Sequence, residues 1–120
     1  MMSFNNYKHV FTPLQAGRTI LKNRIEFAPM VCDLTNAIGE ATQQYIDFVE
    51  NQAASGVALI HLGATPVDRK TGRDFPCELD ITNDESTGSL KVLAEVAHYH
   101  GAKLSVELLH SGRGADKNLI

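Results

Sequence analysis

Apolar residues along this chain recur with two different periods. Tyr45, Phe48, Val49 and Ala53 are spaced by three and four across residues 42–55, which predicts a helix with one buried stripe. Leu90, Leu93, Ala94 and Ala97 repeat that spacing across residues 86–100. Gly56 and Gly101 follow these stretches and predict helix ends, and Asp84 or Ser86 is expected to cap the second helix. Three other segments read as strands: residues 24–28, which end at Pro29; residues 57–62, almost continuously apolar; and residues 103–108, VELLHSGR being the way the last of them ends. Unbroken apolar strands suit a sheet covered on both faces, as parallel sheets are.

The order strand, helix, strand, helix, strand predicts parallel strands joined by right-handed crossovers. Before it, residues 13–21 read as a small hairpin around Gly17, a piece suited to closing the bottom of a barrel. The segments entering strands are short. Those leaving them are long: Met30 to Ala41, Gly63 to Glu85, and everything after His110. Long irregular loops in a compact domain are usually functional, and in parallel α/β folds ligands bind at the carboxyl ends of the strands. Candidate chemistry is therefore expected at those ends.

Composition narrows the classes. The 120 residues suit one small domain, and a net charge of −3 gives no electrostatic reason to expect nucleic acid or an anionic membrane as partner. No apolar run approaches the roughly 18 residues needed to span a bilayer, and the opening MMSFNNYKHV lacks the apolar core of a signal peptide. A cytoplasmic protein is expected. Cys32 and Cys77 stand alone, with no C-x-x-C pair and no histidine at ligand spacing, so neither a disulfide nor a metal site is predicted.

Phosphate-cradling and dinucleotide glycine motifs are absent, as is a G-x-S-x-G elbow. His98 and His100 point to different sides of their helix and cannot chelate one ion. His61 lies within a strand and suits a satisfied core or supporting role. Asn23 and Arg24 precede the first parallel strand, so packing and hydrogen bonding under the sheet is their expected work. His110 and Arg113 follow the third strand, on the side where a ligand is expected; an arginine there suits an anion or cofactor.

Together the segments FTPLQAGRTILKNRI (residues 11–25), APM (28–30), GVALIHLGAT (56–65) and HGAKLSVELLHSGR (100–113) resemble the flavin reductases of the Old Yellow Enzyme family, especially the 2,4-dienoyl-CoA reductase and bile-acid-reductase-like branch. The resemblance covers nearly the whole chain in family order. It implies an α/β fold, the amino-terminal portion of a (β/α)8 TIM barrel made of about three βα units and a leading hairpin. It implies FMN at the carboxyl ends of the strands and hydride passing from NAD(P)H through the flavin to an activated alkene. On the matching positions, Pro29, Met30 and Ala64 would meet the flavin by their backbones, and Cys32 would lie beside its edge. Glu107 stands where many members carry a glutamine that hydrogen-bonds the pyrimidine. His110 and Arg113 complete the expected cofactor-binding set.

Glu107 departs from that pattern. An ionised carboxylate cannot donate to the flavin edge that gains negative charge on reduction, so Glu107 is expected to be neutral or to meet the N3–H side. A barrel needs eight strands and typically about 250 residues. Residues 1–120 therefore read as a partial barrel domain ending after the third strand, with catalytic groups expected beyond residue 120. A larger parent is expected to act on a small unsaturated molecule and to be oligomeric, with FAD and an iron–sulfur cluster only if a carboxy-terminal extension exists. The competing reading is a free-standing α/β module that pairs its open edges with copies of itself and has no catalysis.

Overall fold

The computed structural model describes residues 7–119; the reading of the chain's opening as lacking a leader rests largely on residues 1–6, outside that range. A hairpin comes first, with β1 (Leu14–Ala16) antiparallel to β2 (Thr19–Leu21) and Gly17 in the turn between them. The parallel unit follows: β3 (Glu26–Phe27), α1 (Gln43–Ala54), β4 (Leu59–Pro66), α2 (Thr87–Tyr99) and β5 (Lys103–Leu109). The sheet order is β3–β4–β5, parallel throughout, so the predicted rhythm is the observed one. Among the described residues, no helix is long and apolar enough to cross a membrane.

Register assigns each side chain to a face, because partners in a parallel pair point the same way. One row is Phe27, Ile60 and Leu104, and another includes Leu62 and Val106. These pack against the apolar stripes of both helices: Tyr45, Val49 and Ala53 from α1, Leu93 and Ala97 from α2. Phe27 meets Phe48 edge to face, with ring centroids 5.7 Å apart. Full burial of a Val49 or a Leu93 contributes about 1.5–3 kcal/mol each, so this single layer between helices and sheet holds the unit together. The opposite face carries Glu26, Leu59, Lys103, His61 and Ser105. No helix covers it among the described residues.

Below the sheet, Asn23 is buried and bonds in two directions. Its side-chain amide donates to the Gly56 carbonyl (2.8 Å), and its oxygen accepts the Ile25 amide (3.0 Å). It therefore ties the entry to β3 to the exit of α1. Gly56 has φ +100°, a conformation open to glycine and costly for residues with a Cβ, and its amide closes α1 on the Ala53 carbonyl. The supporting role expected for Asn23 is the one observed.

Two expectations fail in detail. Ser86 occupies the position before α2, and its carbonyl accepts the Ser89 and Leu90 amides, but its side chain makes no capping bond to the helix. Its amide and hydroxyl are both turned onto the Asn83 side-chain oxygen (2.9 Å each), because Asn83 is itself anchored by Asp80 (2.6 Å). The second strand also does not stop at Leu62. It runs to Pro66, so Gly63–Pro66 belong to β4 and the loop begins at Val67. The strand resumes after an irregularity: Leu62 pairs with Val106, but Thr65 pairs with Leu108. Two residues of β4, Gly63 and Ala64, thus stand against the single Glu107 of β5, a bulge that alternation of apolar residues does not announce.

Candidate functional site

The segment after β3 and the carboxyl-terminal halves of β4 and β5 meet at Gly63. Val31 makes an isolated parallel bridge to Gly63, which brings the segment after β3 alongside the bulge. A Cβ built on Gly63 would lie 2.7 Å from Pro29 Cβ, 2.7 Å from a Glu107 carboxylate oxygen and 3.1 Å from the Met30 amide nitrogen. Such approaches are too close for any side chain, so the absence of one at residue 63 is what lets these three segments converge. The Gly63–Ala64 peptide is cis. Pro29, Met30, Ala64 and Glu107 are therefore brought together. Ala64 is buried, while Met30 and Glu107 are exposed at the rim of the uncovered face.

Cys32 lies two residues beyond Met30, half-buried, its thiol directed at the Met30 carbonyl (3.4 Å). Burial pushes that thiol above its ordinary range, which keeps it protonated and weakly nucleophilic. Tyr45, buried behind it, is also pushed up, first by burial and then by the nearby cysteine.

His110 does other work. Its Nδ1 accepts the Gly112 amide (3.0 Å), and its Nε2 faces the Thr71 hydroxyl (3.2 Å), which itself donates to Asp68 (2.8 Å). This chain of donors leaves Nε2 as the protonated nitrogen. The ring also packs against Gly72, where a Cβ would come within 2.9 Å. His110 thus clamps the loop after β4 to the end of β5, with both ring nitrogens engaged. Arg113 sits in a short 3₁₀ turn, Gly112–Gly114, and is exposed.

The long loops organise one another through residues that periodicity did not single out. Arg69 donates to the carbonyls of Glu78 (3.0 Å), Ala37 (2.9 Å) and Pro76 (3.4 Å), and its Nε lies 3.9 Å from Asp80. Asp33, at φ 52°, accepts the Cys77 amide (2.7 Å). Glu78 is almost fully buried with neither carboxylate oxygen in a geometrically good hydrogen bond among the described residues. Desolvation, reinforced by the neighbouring Asp74 carboxyl, raises it to about 7. A cleft of about 770 Å³ lies beside this loop, lined by Val67, Arg69, Lys70 and Arg73. Arg73 there is bound to the Leu119 carbonyl (2.7 Å) and Arg69 to the loop, so the cleft is built from the loops' own supports, apart from the convergence at Gly63. Among the described residues no group of His, Cys, Asp or Glu is placed to hold a metal ion.

Comparison with known proteins accords with this arrangement. The sequence pattern of the NADH:flavin oxidoreductase / NADH oxidase family matches residues 9–119. The chain is 32% identical over 108 residues to an NADH oxidase of Thermoanaerobacter brockii, covering 90% of this chain and 17% of that protein. It is 37% identical over 107 residues to an NADPH dehydrogenase of Listeria monocytogenes serotype 4b, covering 88% of this chain and 31% of that one. The crystal structure of Old Yellow Enzyme from a Pichia species superposes with a TM-score of 0.81 at 27% identity, over 90% of this chain and 28% of the yeast chain. The open three-stranded unit thus has the fold of the amino-terminal portion of such barrels, and the chain spans less than a third of the length of these relatives. On the match across residues 9–119, the chain belongs to the NADH:flavin oxidoreductase / NADH oxidase family.

Proposed function

We propose that these residues form one wall of the flavin site of an FMN-dependent oxidoreductase of the ene-reductase type, with NAD(P)H as reductant and a small activated alkene as substrate. The observation that carries this reading is the convergence of Pro29, Met30, Ala64 and Glu107 around Gly63, where those three segments meet. The relatives named as NADH oxidase and NADPH dehydrogenase support a nicotinamide reductant. Two free cysteines suit a cytoplasmic setting.

The donor set fits a flavin. Met30 offers an exposed apolar side chain beside the crowded backbone at Gly63, and a flat ring needs such a surface to rest on. Glu107, when ionised, only accepts hydrogen bonds, so it matches an imide N–H and not an edge that must be given protons. Bound there, FMN would supply the two-electron chemistry that links the nicotinamide to the alkene. Cys32 would stay a thiol near such a ring, and Met30 would shield one side of it. The remaining strands of the barrel would supply the group that protonates the alkene and the site for the flavin phosphate.

Titrating FMN into the full chain, followed by fluorescence quenching, tests the reading. Saturable quenching that weakens in Gly63→Val and changes in Glu107→Gln is the expected result. A colourless, self-associated protein that quenches no FMN would overturn it in favour of an assembly module.

A further inference from the structure

Below Glu107, the uncovered face carries a second polar array that the flavin reading does not use. Register places Glu26, Leu59 and Lys103 in one row, and His61 with Ser105 in the next row on that face. His61 stands between two partners. The Ser105 hydroxyl meets its Nδ1 in a short contact, and Glu26 lies 3.4 Å from its Nε2. In a neutral imidazole one nitrogen accepts and the other carries the proton. Facing a carboxylate favours the proton on Nε2, so Ser105 donates to Nδ1 and offers only lone pairs along the strand.

Protonation of His61 reverses that pattern. The incoming proton, taken from solvent, occupies Nδ1, which then donates to Ser105 Oγ. Ser105 keeps its own hydrogen but must turn it to another acceptor. Along this face the next acceptor on β5 is the Glu107 carboxylate, two residues on, about 6.6 Å along the backbone. One water or the polar edge of a ligand bridges such a gap. The charged and titratable groups on this face are Glu26 from β3, His61 itself on β4, and Lys103 and Glu107 from β5; the helices pack on the other side.

We propose that His61 and Ser105 are positioning residues for the ligand at Glu107: the charge on His61 sets the direction of the Ser105 hydroxyl and with it the hydrogen bonding available at the strand ends. This inference rests on the FMN reading above for the identity of the ligand, and it makes capture of that ligand proton-linked.

Two measurements on the full chain test it separately. Without ligand, imidazole nitrogen resonances followed against pH should show the Nε2–H tautomer for neutral His61, and that preference should weaken in Glu26→Ala, which removes the carboxylate facing Nε2. Glu107→Gln should change the Ser105 resonances at low pH, because the acceptor offered to the turned hydroxyl has changed. With FMN, affinity should change about threefold between pH 5.5 and 8, and that step should vanish in Ser105→Ala while binding persists. Ser105 resonances indifferent to Glu107→Gln, or a pH step that survives in Ser105→Ala, overturns the proposal. If no FMN is captured at either pH, the FMN reading fails, and the ligand-free titration decides the link between His61 and Glu107 by itself.

Discussion

Glu107 leans across the sheet into the space that a side chain on Gly63 would fill, with 2.7 Å between its carboxylate oxygen and that missing Cβ. Neither residue is interpretable alone. The glycine makes room for the carboxylate and for Pro29, and the bulge in β4 sets the carboxylate opposite it.

Gly63→Ala should therefore destabilise the protein by about 1–3 kcal/mol, the usual range for forcing extra atoms into a packed site. Combining it with Glu107→Ala should recover only part of that loss, because the clash with Pro29 remains. Urea unfolding of the two single variants and the pair measures both numbers; full recovery in the pair would show that Pro29 moves freely.

The buried Glu78 makes stability depend on pH in a defined direction. Its carboxyl is raised from 4.5 to about 7 by burial and by Asp74, so the folded state holds the proton more tightly than the unfolded chain does. That contribution is fully present below about pH 4.5 and is lost as pH rises through about 7. Glu78→Gln should flatten the decline, by on the order of 1 kcal/mol between pH 5 and 8. Denaturant midpoints of both proteins across that range give the difference; parallel curves would assign the slope to other groups.

Asn23→Ala should cost about 1–3 kcal/mol, since it leaves the Ile25 amide and the Gly56 carbonyl without their partner. Asn23→Asp keeps the acceptor for Ile25 and can donate to Gly56 only while its carboxyl is protonated, so it should fall between wild type and Ala at low pH and lose that advantage as pH rises. Thermal unfolding at pH 4 and pH 8 orders the three.

Arg69→Lys should loosen the long loops without unfolding the sheet. A lysine ammonium cannot reproduce the planar fork that reaches three carbonyls while lying beside Asp80. Hydrogen exchange should accelerate at the Asp80 amide, which bonds the Gly39 carbonyl, while the Leu62 and Val106 amides in the sheet stay protected.

The helices and parallel strands are legible in the sequence because burial imposes a period. Tyr45, Val49, Leu93 and Ala97 mark their faces, and each is buried where the spacing predicts. Met30, Ala64 and Glu107 were singled out by the family resemblance, which no period supplies. What escaped was set by single contacts with no period. Asn83 displaced Ser86 from its expected cap, Arg69 gathers distant carbonyls, and His110 braces Thr71 across two loops. Glu78 escaped too, since nothing in CELD distinguishes a buried carboxyl from an exposed one. His61 was assigned to a supporting role, and only the register shows which face it takes.

The two-against-one step at Gly63 and Ala64 has a consequence for how β4 finds its neighbour. Val57 to Leu62 is apolar at every position but His61, so sliding it by two places along β5 would cost little in the rungs beyond the His61–Ser105 pairing. The kink removes that freedom, because only one alignment seats Glu107 in the notch. Lengthening or shortening the chain by one residue at this point should therefore scramble the pairing of the whole strand, whereas a similar change around Lys70 should be absorbed by the loop.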